Sequence, residues 1–104
     1  MPKMKVEFNN CQEIRMGSPF RVCEVVFTGL WRPKVPNDGW QNLQAESPDG
    51  RYVALVQWAA NANRPGFVIY IFDTVAHNVR RLERVDGCCE RIWWNGAHIQ
   101  WSVF

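Results

Sequence analysis

One hundred and four residues are enough for one domain with a real but modest core. An apolar content of 47% excludes a disordered chain, and a net charge of +2, from 12 basic and 10 acidic residues, is too mild to mark a nucleic-acid binder by itself. No stretch is long and apolar enough to span a bilayer, and Met1 to Phe20 lacks the apolar run of a secretory leader.

Taken in chain order, Lys5 to Phe8 reads as a short opening strand. Gly17-Ser18-Pro19 then marks a turn. Phe20 to Phe27 is a stronger strand, with Phe20, Val22 and Val26 on one face and Cys23, Val25 and Phe27 on the other. A strand apolar on both faces is usually covered on both sides. Gly29 to Gly39 carries Pro33, Pro36, Asn37 and Asp38 and must be a loop, bracketed by Trp31 and Trp40. Tyr52 to Trp58 is again apolar on both faces, and Asn61 to Gly66 has the residues of a hairpin loop. Phe67 to Phe72 is rich in β-branched and aromatic residues. Val79 to Val85 carries Arg80, Arg81, Glu83 and Arg84, a charge density that suits an edge strand. Asp86-Gly87 is a turn; Arg91 to Trp94 leads into Asn95-Gly96, a strong hairpin signal. The last strand alternates, with Ile99, Trp101 and Val103 on one face.

No segment keeps a helical period. The chain is predicted to form about seven to nine antiparallel strands and no helix of consequence. The largely buried set is predicted to be Val22, Val26, Leu55, Trp58, Ile69, Ile71, Ile99 and Trp101, the apolar members of the best strands.

The segment from about residue 43 to 84 holds Ser47-Pro48-Asp49-Gly50, then Tyr52 to Trp58, then Ile69-Tyr70-Ile71-Phe72-Asp73-Thr74, then Arg80-Arg81-Leu82. In that order it resembles one blade of the WD40-like (TolB-type) β-propeller repeat. The resemblance implies a meander of antiparallel strands. A weak internal repeat around Gly17-Ser18-Pro19 and Asn95-Gly96 extends the outline. A closed ring takes about four or more blades of about 40–45 residues, which this chain is too short to supply. The expected architecture is therefore all-β, an antiparallel meander of propeller-blade-like hairpins forming an open twisted sheet or small two-layer sandwich, not a closed propeller.

The candidates for chemistry are few. Cys11, Cys23, Cys88 and Cys89 form no C-x-x-C pair, and His77 and His98 sit in no catalytic or metal-binding signature. Asp49 and Asp86 precede glycine, Asp38 precedes Gly39, and Asp73 ends a strand, all positions where aspartate makes turns. There is no phosphate loop, nucleophile elbow or H-E-x-x-H motif. No catalytic residue, metal or cofactor is expected, and with no leader in view all four cysteines are expected as reduced thiols in the cytoplasm.

What remains is binding. Six Trp and an arginine cluster are the residue types that dominate interface hot spots. The expected partner surface is the loop with Trp31, Arg32, Lys34, Asp38 and Trp40, and secondly the strand with Arg80, Arg81 and Arg84. The alternative for the two tryptophans is to fold inward and cap the sheet. The composition fits a small bacterial immunity or inhibitor protein, monomeric, that binds another protein such as a toxin domain and blocks it. Two other readings stand beside it: a homo-oligomeric propeller-like binder of a sugar or small molecule, and, less favoured, a nucleic-acid-binding β module whose affinity falls steeply with salt.

Overall fold

A computed structural model describes residues 4–14 and 20–104. The expected turn at Gly17-Ser18-Pro19 lies outside them. Among the described residues the chain is all-β: β1 (Lys5–Glu13), β2 (Arg21–Thr28), β3 (Trp40–Glu46), β4 (Tyr52–Trp58), β5 (Gly66–Asp73), β6 (Asn78–Arg81), β7 (Val85–Asp86), β8 (Cys89–Asn95) and β9 (His98–Val103). The first six form an antiparallel meander in the order β1-β2-β3-β4-β5-β6, closed into neither barrel nor propeller.

The pillar of the molecule is the β4–β5 pair. Every residue of β5 is buried. Side chains alternate across the sheet, so Val53, Leu55, Val68, Tyr70 and Phe72 gather on one face and Ala54, Val56, Phe67, Ile69 and Ile71 on the other. Both faces therefore need a cover. On the first, Val6, Phe8, Val25 and Phe27 of the β1–β2 ribbon pack in, with Trp31, Val35 and Trp40. The ribbon can turn over this face because β2 meets β3 at one bridge only, Cys23 with Trp40. On the second face lies the separate β8–β9 hairpin, contributing Cys89, Ile92, Trp94 and Ile99. Two side-chain bonds fasten that hairpin to β3: Gln41 Nε2 donates to the Cys89 carbonyl at 3.0 Å and Trp94 Nε1 to the Ala45 carbonyl at 2.9 Å.

The turns follow local chemistry. In Ser47–Gly50 the Gly50 amide donates to the Ser47 carbonyl at 2.9 Å, and Gly50 sits at φ +76°, where a side chain would be strained. The Ser47 hydroxyl accepts the Tyr52 amide at 2.9 Å and donates to Asp49 Oδ1 at 2.6 Å. At the last hairpin Asn95 pairs with His98, so the two turn residues are Gly96 and Ala97, one step on from the expected pair. Only the first of them has positive φ, the II′ pattern that takes glycine there.

The predicted strand at Val79 to Val85 is broken in two. β6 and β7 lie along the same edge of β5, joined by the Leu82 amide donating to the Ile69 carbonyl at 2.9 Å. At the break Arg84 turns inward across Gly66, where any Cβ would overlap its guanidinium.

Three expectations need correction. Val26 is 42% and Trp101 37% exposed. β2 buries only its Cys23 and Val25 face, and Trp101 lies on a two-stranded hairpin that overhangs the sheet it covers. Val22 and Trp58 are half-buried, Trp58 Nε1 donating to the Arg21 carbonyl at 2.9 Å. The third correction is chemical: Cys11 and Cys23 form a disulfide, leaving Cys88 and Cys89 as the free thiols. The cause is a β-bulge in which Asn10 and Cys11 together oppose Cys23, with Asn10 at φ +52°. A bulge re-aims one side chain, here Cys11 at its neighbour. No helix of the described residues is long and apolar enough to cross a membrane.

Two measurements check this account. Ile69→Ala, at a site 1% exposed, should lower unfolding free energy by about 2–5 kcal/mol in denaturant titration; a loss under about 0.5 kcal/mol would mean that β5 is not central. Thiol titration of the denatured, unreduced protein should find the two free cysteines, and four after reduction; four without reductant would contradict the disulfide.

Candidate partner-binding surface

The proline-rich loop is built into the sheet rather than displayed on it. Its far end is tied by the Val25 amide donating to the Asn37 carbonyl and the Trp58 amide to the Gly39 carbonyl, both at 2.7 Å. Trp40 is wholly buried, edge-on to Tyr70 at 5.0 Å, with its Nε1 donating to the Pro36 carbonyl at 2.8 Å. It is a core residue, and its expected role as a contact anchor is withdrawn. Trp31 is half-buried, set edge-on to Phe72 and stacked at 5.1 Å on His77 with the rings 7° from parallel. His77 holds a left-handed conformation, φ +57°, in the β5–β6 turn. The stack brings the loop beside that turn, and with it the exposed Arg32 and Lys34.

β6 forms the sheet edge at the same end, with all four of its residues exposed. Arg80 pairs with Ile71 and Arg81 with Tyr70, so the two guanidinium groups leave opposite faces of the sheet. Neither makes an ion pair among the described residues, nor do Arg32 and Lys34. The loop carrying Arg32 and Lys34 and the turn leading into β6 thus touch at the Trp31–His77 stack, one corner of the sheet. Asp38 is exposed at the other end of the loop, where its carbonyl accepts a long bond from Gln57 Nε2, 3.4 Å. Arg84 departs from expectation. Its guanidinium donates to the carbonyls of Ala59, Arg64 and Pro65 and pairs with Asp86, so it clamps the β4–β5 loop to β7 and is not free for a partner.

Beside the corner, on the face covered by β8–β9, runs a groove of about 260 Å³ lined by Tyr52, Ile71, Asp73, Asn78, Arg80 and Trp94. Tyr52 and Trp94 stack at 5.9 Å, and Arg51 lies over the Tyr52 ring at 5.2 Å. Sequence reasoning missed this groove, since Tyr52 and Trp94 are distant in the chain and no spacing rule joins them. Asp73 makes the turn expected of it, and its bond to Arg51 was not expected. Its carboxylate takes Arg51 Nε at 3.1 Å and Nη2 at 2.9 Å, and the amides of Val75 at 3.0 Å and Ala76 at 2.9 Å. The Arg51 bond first, then the Ala76 amide, hold the carboxyl well below the usual carboxylate range. It organises the turn on which His77 and β6 are mounted. An exposed aromatic, Trp93 at 39%, carries Arg91 over its ring at 5.0 Å on the outer face of the β8–β9 hairpin.

Of the four cysteines, Cys11 and Cys23 are tied to each other and Cys89 is buried. Burial pushes the Cys89 thiol up to about 11, the opposite of an activated thiolate. No group of three or more His, Cys, Asp or Glu among the described residues is placed to hold a metal ion.

The Asp73 contacts set a pH signature. A folded carboxyl held low stabilises the fold above its unfolded pKa, about 3.9, and that contribution drains away as pH falls toward the folded value. Asp73→Asn should therefore melt earlier than the parent near neutral pH, with the gap closing below about pH 4. A gap that stays constant from neutral pH to pH 2 would show that the carboxylate charge does not matter.

The chain matches no protein-family model, no curated protein and no solved structure.

Proposed function

We propose that the protein is a small, non-catalytic protein-interaction module, of the immunity or inhibitor kind, that covers an acidic surface of a partner such as a toxin domain. The observation that carries this reading is the basic corner. Four cations, Arg32, Lys34, Arg80 and Arg81, project from two anchored elements and meet no carboxylate of their own chain among the described residues. Unpaired surface charge of one sign steers association with the opposite sign and fixes register in the complex.

Rigidity supports the same reading. The loop is tied at Asn37 and Gly39, and Trp31 is stacked in place, so little ordering entropy is lost on binding. β6 is held by four residue pairs to a wholly buried strand. The disulfide between Cys11 and Cys23 fits an inhibitor that works in an oxidising compartment rather than the cytoplasm first expected.

The test is capture from the native host with the parent protein and with Arg80→Glu combined with Arg81→Glu. The expected result is a protein partner retained by the parent and lost by the variant, with unchanged melting temperature. A captured toxin should lose activity when the parent is added. Retention of the same partner by the variant would remove the corner from the interface; capture abolished by nuclease treatment would turn the reading toward nucleic acid.

A further inference from the structure

The β6 edge has a main-chain pattern more specific than its charge. The Leu82 amide donates to the Ile69 carbonyl at 2.9 Å. In an antiparallel ladder hydrogen-bonded pairs recur every second residue. Arg80 with Ile71 and Asn78 with Asp73 are then the hydrogen-bonded pairs of this edge. The amides and carbonyls of Val79 and Arg81 point the other way, off the sheet, and β6 is the last strand in the order.

We propose that β6 accepts an acidic, extended segment of a partner protein as an added strand, a mode that rests on the interaction reading above and names its partner's chemistry. Val79 and Arg81 supply the main-chain bonds. Toward the incoming strand Arg80 occupies a non-hydrogen-bonded position, where facing side chains approach most closely. A carboxylate opposite Arg80 meets its guanidinium on the groove face beside Tyr52 and Trp94. The next residue of the segment faces Arg81 on the opposite face. The segment therefore carries two successive acidic residues, with an apolar neighbour for Val79, which is 37% exposed. A second copy of this chain does not fit. Pairing β6 with β6 brings four arginines together, a repulsion that guards the edge against its own kind. The edge is short, because the chain leaves it at Leu82 and Arg84 turns inward.

The probe is a blocked octapeptide of alternating threonine and valine with two adjacent glutamates at its centre. Binding is followed by amide hydrogen exchange of the isotope-labelled protein. The expected result is slowed exchange at Val79 and Arg81 by about tenfold or more, with little change at Arg80, which is already bonded. Replacing both glutamates by glutamine should weaken binding by about tenfold or more. Val79→Pro removes an outward amide and no ladder bond, a substitution edge strands tolerate. It should stay folded and lose the peptide, and a peptide N-methylated at its central amides should fail on the parent. Binding that survives both changes, or that leaves Val79 and Arg81 unprotected, overturns strand addition while leaving the basic corner as a charge-only contact. No binding of the diglutamate peptide overturns it as well. Loss of partner capture in the arginine-reversed variant is read separately, so the two claims fail independently.

Discussion

Burial of one strand on both faces is the constraint on which the rest of this structure depends. Every residue of β5 is buried, and β4 alternates Val53 and Leu55 toward one core, Ala54 and Val56 toward the other. An open sheet of this size cannot leave two apolar faces bare. The chain answers with two ribbons. β1–β2 turns over one face through the single bridge at Trp40, and β8–β9 lies over the other, fastened by Gln41 and Trp94. The proline-rich loop is the plug at the seam, which explains why Trp40 is buried and Trp31 is held by His77.

The same constraint places the candidate surface. With β4 and β5 covered, the free margin nearest the core is β6, and its position is set by the turn that Asp73 organises. Arg51, the residue before β4, holds that carboxylate across the pair, so the turn is tied to the central strands and not only to its own hairpin. Trp31 then links the loop to the turn. The cations of the corner are therefore carried by elements that the core itself fixes, which is what a pre-formed interface needs.

Much of the fold was legible because it is written in local chemistry. Period-two patterning, Ser47-Pro48-Asp49-Gly50 and Asn95-Gly96 locate β4, β5 and the hairpin turns to within a residue or so, whereas β1 runs on past the expected Phe8 to Glu13. Apolar alternation on both faces of Tyr52 to Trp58 announced double burial. What was not legible depends on residues far apart. The Cys11–Cys23 bond needs a bulge that shifts register by one residue. The same patterning that read β4 correctly misjudged Val26 and Trp101, because which face a ribbon presents to the core depends on how the ribbon is folded over. At the site, Arg32, Lys34, Arg80 and Arg81 were in view from composition. The removal of Arg84 and Trp40 from the surface was not, since it rests on carbonyls and rings supplied by other elements.

The central claim is that a doubly covered β5 carries an edge strand whose main chain is half committed and half free. Native-state hydrogen exchange of the protein alone tests it most directly. The account predicts that the amides of Phe67 to Phe72 exchange only through global unfolding, while along the edge Arg80 and Leu82 are protected and Val79 and Arg81 exchange rapidly. Uniform protection across residues 78–82, or faster exchange in β5 than in β1, would contradict it.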